Sequence, residues 1–179
     1  MPGVPLSAEG RVQAEALAAW FSGRPADALV SSPVQRALET AAPVAARLGL
    51  EVAIDPAWTE IDFGTWTGQR FDALAPDPAW QRWNRVRSLA VPLGGEAMHA
   101  AQSRALAALE RLRTAYPDQV VAVFSHADIL KSVVAAALGV SLDVLSRFRI
   151  DPASVSTLVL SDDAVEVACL NRSPAASPR

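Results

Sequence analysis

The chain has 179 residues, of which 51% are hydrophobic, and its formal net charge is −3. A chain of this length predicts a single domain built around one hydrophobic core. The 16 basic residues are spread along the sequence, so charge gives no reason to expect a nucleic acid as partner. No window approaches the roughly 18 apolar residues of a membrane span. The first residues lack a signal-peptide pattern, so we expect a cytoplasmic protein without a membrane partner. Nothing in the sequence predicts the oligomeric state.

Metal-binding residue types are scarce. Cys169 is the single cysteine, and His99 and His126 are the two histidines. No internal disulfide can form, and these three residues do not have the spacing of a zinc site. We therefore expect no structural metal, and we expect Cys169 to be a small apolar core residue.

The first third of the chain predicts alternating helices and strands. Two segments carry apolar residues at helical spacing, and two short apolar runs have the form of strands. In chain order the expected elements are a helix over 8–21, a strand over 28–32, a helix from Pro33 to Gly49 and a strand over 51–54. Ser7 is placed to cap the first helix, and Pro43 should kink the second.

The segment 55–95 contains four of the five tryptophans and predicts a loop with short helices. Its tryptophans are typical of core or lid packing, and we expect the segment to shape specificity. The elements that follow are a helix over 97–115, a strand over 120–125, a helix over 127–138, and a hairpin of "VSTLVL" and "VEVACL". We expect one domain over 1–171 and a disordered tail over 172–179.

This alternation of strands and helices predicts a three-layer α/β/α sandwich with a mostly parallel sheet. In such sheets ligands bind at the carboxyl ends of strands, where helix N-termini present free backbone N–H groups. Two junctions have this form: "LVSSPVQRA" carries Arg36, and "VFSHADI" carries His126. We therefore expect His126 and the amides after it to face an anion, with phosphate as the first candidate.

Four motifs occur in the order "SSPVQRALET", "TEIDFGTWTG", "GGE" and "SHADIL". Together they resemble the histidine phosphatase superfamily, also called phosphoglycerate mutase-like, over about residues 4–171. Within that family the sequence resembles small bacterial broad-specificity phosphatases and probable phosphomutases. The resemblance implies a small phosphorylated metabolite as substrate and a phosphohistidine mechanism without metal or cofactor. A histidine attacks the phosphoryl group, an acid protonates the leaving oxygen, and water then cleaves the phosphoenzyme.

The resemblance assigns roles to individual residues. Arg36 corresponds to a phosphate clamp, because a guanidinium can hold two phosphoryl oxygens. Glu60 corresponds to the general acid, which needs a raised pKa to donate a proton near neutral pH. His126 corresponds to the second family histidine, which stabilises charge on the phosphoryl group, and the Ala127 amide adds a hydrogen bond. Glu96 in "GGE" is more typical of a helix start.

The family's defining Arg-His-Gly motif, whose histidine is the nucleophile, does not occur in this chain. The match begins with a stretch that follows this motif in relatives, so a central strand is expected to be missing and its neighbours to close up or face a gap. Either the true start lies upstream or the protein is a natural pseudo-enzyme. We predict a phosphatase or mutase domain that is inactive or crippled as these 179 residues.

Other functions stay open. The first is a non-catalytic protein that binds a phosphorylated ligand. A second is a serine hydrolase using Ser125 or Ser32 with His126, although the Gly-x-Ser-x-Gly elbow is absent. His99 is expected to be exposed and without a role. Sugar phosphates, phosphoglycerates and nucleotides are all compatible with the sequence as substrates.

Overall fold

The computed structural model describes residues 3–174. Its strands are β1 (Ala28–Ser31), β2 (Val52–Ile54), β3 (Val121–Phe124), β4 (Val155–Leu160) and β5 (Val165–Arg172). Its α-helices are α1 (Ala8–Trp20), α2 (Gln35–Leu48), α3 (Phe71–Leu74), α4 (Pro78–Arg85), α5 (Met98–Ala115) and α6 (Ala127–Ala137). Short 3₁₀ helices lie at Pro56–Trp58, Gly64–Trp66 and Leu142–Arg147. In the described part of the chain no helix is long and apolar enough to cross a membrane.

A parallel sheet in the order β2-β1-β3 forms the centre of the fold. Ser31 at the end of β1 pairs with Ile54 of β2 on one side and with Phe124 of β3 on the other. The three carboxyl ends therefore lie side by side at one edge of the sheet. This confirms the predicted α/β fold with a mainly parallel sheet.

Helices cover both faces of the sheet. Because side chains alternate along a strand, Leu29 and Val30 of β1 point to opposite faces. Leu29 packs in a cluster with α1 and α2 residues that include Leu17 and Val44. Val30 belongs to a second cluster, which contains Met98 of α5 and Ile129 of α6. The fold therefore has the expected three layers.

The predicted helices and strands are present and most of their ends lie within one residue of the prediction, but α2 begins later than expected. Its first helical residue is Gln35, not Pro33. The Ser32 hydroxyl accepts the N–H of Val34 at 3.2 Å, and Val34 has an extended backbone with ψ of 131°. Because of this turn, Pro33 and Val34 lie outside the helix. Gly49, with φ of 68°, ends the helix as predicted.

The tryptophan-rich segment supplies core, in agreement with the packing interpretation. Trp58, Trp66 and Trp83 are buried in the cluster that contains α5 and α6. Trp80 is half-buried and meets Trp66 edge to face, with ring centroids 5.3 Å apart. The segment thus anchors itself to the parallel sheet domain by burying aromatic surface.

The sheet is interrupted after β3. β4 and β5 form the predicted antiparallel hairpin, and within residues 3–174 neither strand pairs with β3. Val155 of β4 nevertheless packs on the cluster that contains Phe124, and Leu158 packs on the cluster that contacts Val123. The hairpin thus packs on the same two clusters as β3 but forms no strand pairing with it. Among residues 3–174, one edge of β3 therefore has no strand partner.

The predicted start of the disordered tail was wrong by at least one residue. Arg172 belongs to β5 and pairs with Val155. The side chain of Asn171 donates to Asp151 at 2.9 Å and accepts the N–H of the same residue at 2.7 Å. These hydrogen bonds between separate segments of the chain order a segment whose local sequence is typical of a tail. The last predicted tail residues, 175–179, lie outside the described residues.

Candidate active site

Arg36 and His126 meet at the carboxyl edge of the sheet, as predicted. Arg36 lies in the first turn of α2 after β1, and His126 caps the N-terminus of α6 after β3. The N–H of Ser32 donates to the carbonyl of Phe124 at 2.9 Å, which extends the strand pairing to the two junctions. Arg36 Nη2 consequently lies 2.9 Å from His126 Nδ1.

The hydrogen bonds of His126 fix its protonation. A guanidinium has donors and no acceptor, so Nδ1 must accept from Arg36. The ring proton then resides on Nε2, which donates to Ser32 Oγ at 2.9 Å. Burial of the side chain, which is 4% exposed, and the positive charge of Arg36 lower the pKa of His126 to about 3. His126 is therefore neutral.

Glu60 completes the cluster from the segment that follows β2. Its Oε2 lies 3.8 Å from both Arg36 Nη2 and His126 Nδ1, and its Oε1 accepts the N–H of Ile61 at 3.0 Å. Burial and the negative charge of Asp128 raise the pKa of Glu60 to about 7, against the opposite effects of Ile61 and Arg36. A carboxyl group with this pKa holds a proton close to neutral pH, as a general acid must.

The turn before Glu60 is held by hydrogen bonds to its carbonyl groups. Ser125, next to His126, donates its hydroxyl to the carbonyl of Trp58 at 2.7 Å. Arg104 of α5 donates to the carbonyl of Ala57 at 2.6 Å and binds both carboxylate oxygens of Glu96 at 2.8 Å. Glu96 therefore binds the supporting Arg104. It lies before the N-cap residue Ala97 of α5, so the expectation that it starts this helix was wrong.

The motifs "TEIDFGTWTG" and "GGE" are joined through their backbones. The N–H of Glu96 donates to the carbonyl of Asp62 at 2.8 Å, and the N–H of Thr65 donates to the carbonyl of Leu93 at 3.0 Å. The approach leaves no room for a side chain at Gly64, where a Cβ would lie 2.2 Å from the Leu93 oxygen. Gly64 also has a φ of +53°. Both features require glycine at this position.

Gly64→Ala should lower the free energy of unfolding by about 1 to 3 kcal/mol more than Gly94→Ala does. Both variants place a side chain at positive φ, but only Gly64→Ala adds a clash with backbone atoms. Gly94 is the matched control, since its φ is +69° and nothing lies within 4 Å of a Cβ there. Urea unfolding of the two variants measures the difference. Equal free energies of unfolding would show that the two motifs are not held in contact.

Ala127 occupies the position expected of a backbone N–H that donates a hydrogen bond to an anion. It is the first residue of α6, it is exposed, and its N–H has no acceptor among residues 3–174. A free N–H at the N-terminus of an 11-residue helix favours a negative charge in front of it.

Sequence reasoning missed Asp128 and Arg87 next to this cluster, and it considered Ser32 only as a possible serine nucleophile. Ser32 contacts His126, and Asp128 forms an ion pair with Arg87 at 2.7 Å while raising the pKa of Glu60. Asp128 could have been noticed as an acidic residue in the first turn of α6, whereas nothing in the sequence distinguishes Arg87, which follows α4. The pairing of Ser32 with the histidine depends on strand register, which the local pattern does not reveal.

The remaining candidate residues lie apart from the cluster. His99 is exposed on α5, as expected, whereas Cys169 is half-buried in β5 rather than enclosed in the core. Over the ranges that the structure covers, no three His, Cys, Asp or Glu side chains lie together as a metal site.

The chain has relatives among known proteins. A family model described as the histidine phosphatase superfamily (branch 1) matches residues 1–173. The chain is 31% identical over 160 residues to Phosphoserine phosphatase 1 of Hydrogenobacter thermophilus, covering 88% of this chain and 75% of that protein. It is 36% identical over 148 residues to a bifunctional protein of Mycobacterium tuberculosis, and the match covers 81% of this chain. The match spans 40% of that relative's length.

A solved structure shares the fold over nearly the whole chain. It is the complex of a mycobacterial glucosyl-3-phosphoglycerate phosphatase with inorganic phosphate, which superposes with a TM-score of 0.87 and 26% identity. The match covers 99% of this chain and 93% of the other. The family model, the relatives and the shared fold lead to one conclusion: the chain belongs to the histidine phosphatase superfamily.

Proposed function

We propose that this chain binds phosphomonoesters through Arg36, His126 and Glu60, and that these residues serve a phosphatase or phosphomutase reaction that needs a further nucleophile. The observation that carries the proposal is the convergence of the three side chains, with Glu60 Oε2 at 3.8 Å from both of its neighbours, in front of a free helix N-terminus. Phosphoryl transfer depends on positioning and charge stabilisation, which such a cluster supplies.

Each residue has a distinct role in this reaction. Arg36 holds two oxygens of the phosphoryl group, since its fork of donors matches their geometry. His126 lies against the phosphoryl oxygens beside Arg36, and the Ala127 N–H donates a hydrogen bond to one of them. Glu60, protonated near neutral pH because its pKa is about 7, gives its proton to the leaving oxygen.

Neither histidine is a suitable nucleophile. Nε2 of His126 holds the ring proton and faces the fully buried Ser32, while Nδ1 already accepts from Arg36. His99 is exposed on α5 and has no hydrogen bond to the three site residues. We therefore expect the 179-residue chain to bind a phosphoryl group without attacking it.

The experiment that tests the proposal measures turnover of p-nitrophenyl phosphate and binding of vanadate by the purified chain. We expect no turnover above the uncatalysed rate, and vanadate binding in a range of about 1 mM, where a few charge-assisted hydrogen bonds would place it. Robust turnover that His126→Ala abolishes would contradict the proposal, as would the absence of any vanadate binding.

The rival proposal is a domain that binds a phosphorylated ligand and performs no chemistry. Free imidazole distinguishes the two, since its nitrogen can attack phosphorus while Glu60 protonates the leaving oxygen. With phenyl phosphate as substrate, imidazole should accelerate hydrolysis in the wild type and much less in Glu60→Gln. Equal acceleration in both proteins would favour the binding domain.

A serine hydrolase has one observation in its favour, the 2.9 Å contact between Ser32 Oγ and His126 Nε2. In the free protein the direction of the hydrogen bond argues against it, because Nε2 is the donor and has no lone pair to take the serine proton. Ser32 is also fully buried, and the hydroxyl of Ser125 donates to Trp58 instead. Neither serine is arranged as a nucleophile.

A further inference from the structure

We propose that Ser32 is a positioning residue that reverses its hydrogen bond with His126 when a phosphoryl anion draws Arg36 away, so that the ring changes from the Nε2–H to the Nδ1–H tautomer. The ligand-bound part of this inference rests on the proposed function. The part that concerns the free protein does not.

In the free protein two neighbours compete over the tautomer of His126. Arg36 donates to Nδ1 and therefore requires the ring proton on Nε2. Ser32 Oγ then accepts from Nε2, and it also accepts the N–H of Val34 at 3.2 Å. Both lone pairs of this hydroxyl are in use.

The hydroxyl proton of Ser32 is left without an acceptor in this arrangement. Ser32 is 0% exposed, and among residues 3–174 its side chain has no hydrogen-bond partner other than Val34 and His126. A buried donor without a partner is unfavourable. If Nε2 became the acceptor, the hydroxyl would donate to it while still accepting from Val34. Ser32 thus favours the Nδ1–H tautomer, and Arg36 opposes it.

A bound phosphoryl group would change this balance. Its oxygens attract Arg36 and need donors, so the contact of Arg36 with Nδ1 is replaced by a contact of Nδ1–H with oxygen. One proton leaves Nε2 and one arrives at Nδ1, both by exchange with water, so the charge of the ring is unchanged. Ser32 donates to the vacated Nε2 and holds the imidazole aimed at the ligand.

The tautomer is measured by ¹⁵N NMR of histidine-labelled protein in a His99→Gln background, where His126 gives the one histidine signal pair. The unmodified site should show a protonated Nε2 and an acceptor-type Nδ1. Arg36→Met removes the opposing donor and should reverse the two shifts without any ligand. Arg70→Met removes an exposed arginine and should leave the shifts unchanged.

The double variant Arg36→Met/Ser32→Ala assigns the reversal to Ser32. It should lose the preference for Nδ1–H, because no hydroxyl remains to donate to Nε2. Reversal that persists without Ser32 would show that Glu60, 3.8 Å from Nδ1, controls the tautomer, and would overturn the proposal. So would a protonated Nδ1 in the free unmodified site, or wild-type shifts in the single variant Arg36→Met.

Inorganic phosphate provides the ligand-bound measurement. Saturating phosphate should produce the same reversal as Arg36→Met, whereas an imidazolium with both nitrogens protonated, or unchanged shifts with phosphate bound, would contradict the proposal. A complete failure of phosphate to bind would instead reject the proposed function, and the free-protein variants would still decide the role of Ser32.

Discussion

Replacing Arg36 by alanine should weaken vanadate binding by about ten- to hundredfold. The loss corresponds to charge-assisted hydrogen bonds worth about 1.5 to 3 kcal/mol. Arg36→Lys should bind with intermediate affinity, because an ammonium supplies the charge without the two parallel donors. Calorimetric or NMR titration of vanadate into the purified variants measures the effect.

Two further variants act as controls for this titration. Arg70→Ala removes an arginine whose side chain is 83% exposed and should leave affinity unchanged. Glu60→Gln should leave affinity unchanged or raise it, since the ionised carboxylate repels an anion. Wild-type affinity in Arg36→Ala and His126→Ala, together with weaker binding in Glu60→Gln, would show that the anion binds elsewhere.

The second large effect concerns stability against pH. Glu60 has a pKa raised from 4.5 to about 7, so between these values the folded state holds a proton that the unfolded state has lost, and stability falls as pH rises. His126 has a pKa lowered from 6.5 to about 3, so between these values the unfolded state holds the extra proton, and stability rises with pH. The two contributions oppose each other where the windows overlap.

Single substitutions should expose these opposing slopes. Between about pH 5 and about pH 6.5, the free energy of unfolding of Glu60→Gln should increase with pH relative to that of the wild type. The free energy of unfolding of His126→Asn should decrease relative to the wild type over the same range. Each change should amount to about 1 kcal/mol per pH unit. Chemical denaturation across this range gives the slopes. If both variants follow the wild-type slope, the two groups are not buried next to each other in the manner described.

Much of the site could be predicted because it depends on topology. The apolar runs before Ser32 and His126 identify two strands, and parallel strands bring their carboxyl ends to one edge. Arg36 follows the first strand at a fixed short distance, so its approach to His126 is a consequence of the sheet. Glu60 was identified by its motif, since nothing in the local pattern of its loop predicts burial.

The parts that could not be predicted depend on contacts between distant segments. Ser32 was considered with His126 only as a possible nucleophile, whereas the hydrogen bond in which Nε2 donates to it joins residues 94 positions apart and follows from the register of β1 with β3. The extension of β5 to Arg172 follows from its pairing with Val155. The interruption of the sheet was expected, but its position beside β3 depends on how the hairpin packs on the two cores.

The central claim is that Arg36 and His126 form a phosphoryl-binding site, and a crystal structure of the chain with tungstate tests it most directly. The anomalous signal of tungsten locates the anion without ambiguity. We predict tungstate in front of Ala127, with its oxygens at hydrogen-bond distance from the Arg36 guanidinium and from Nδ1 of His126. Tungstate bound elsewhere, with the hydrogen bond between Arg36 and His126 intact, would contradict the account.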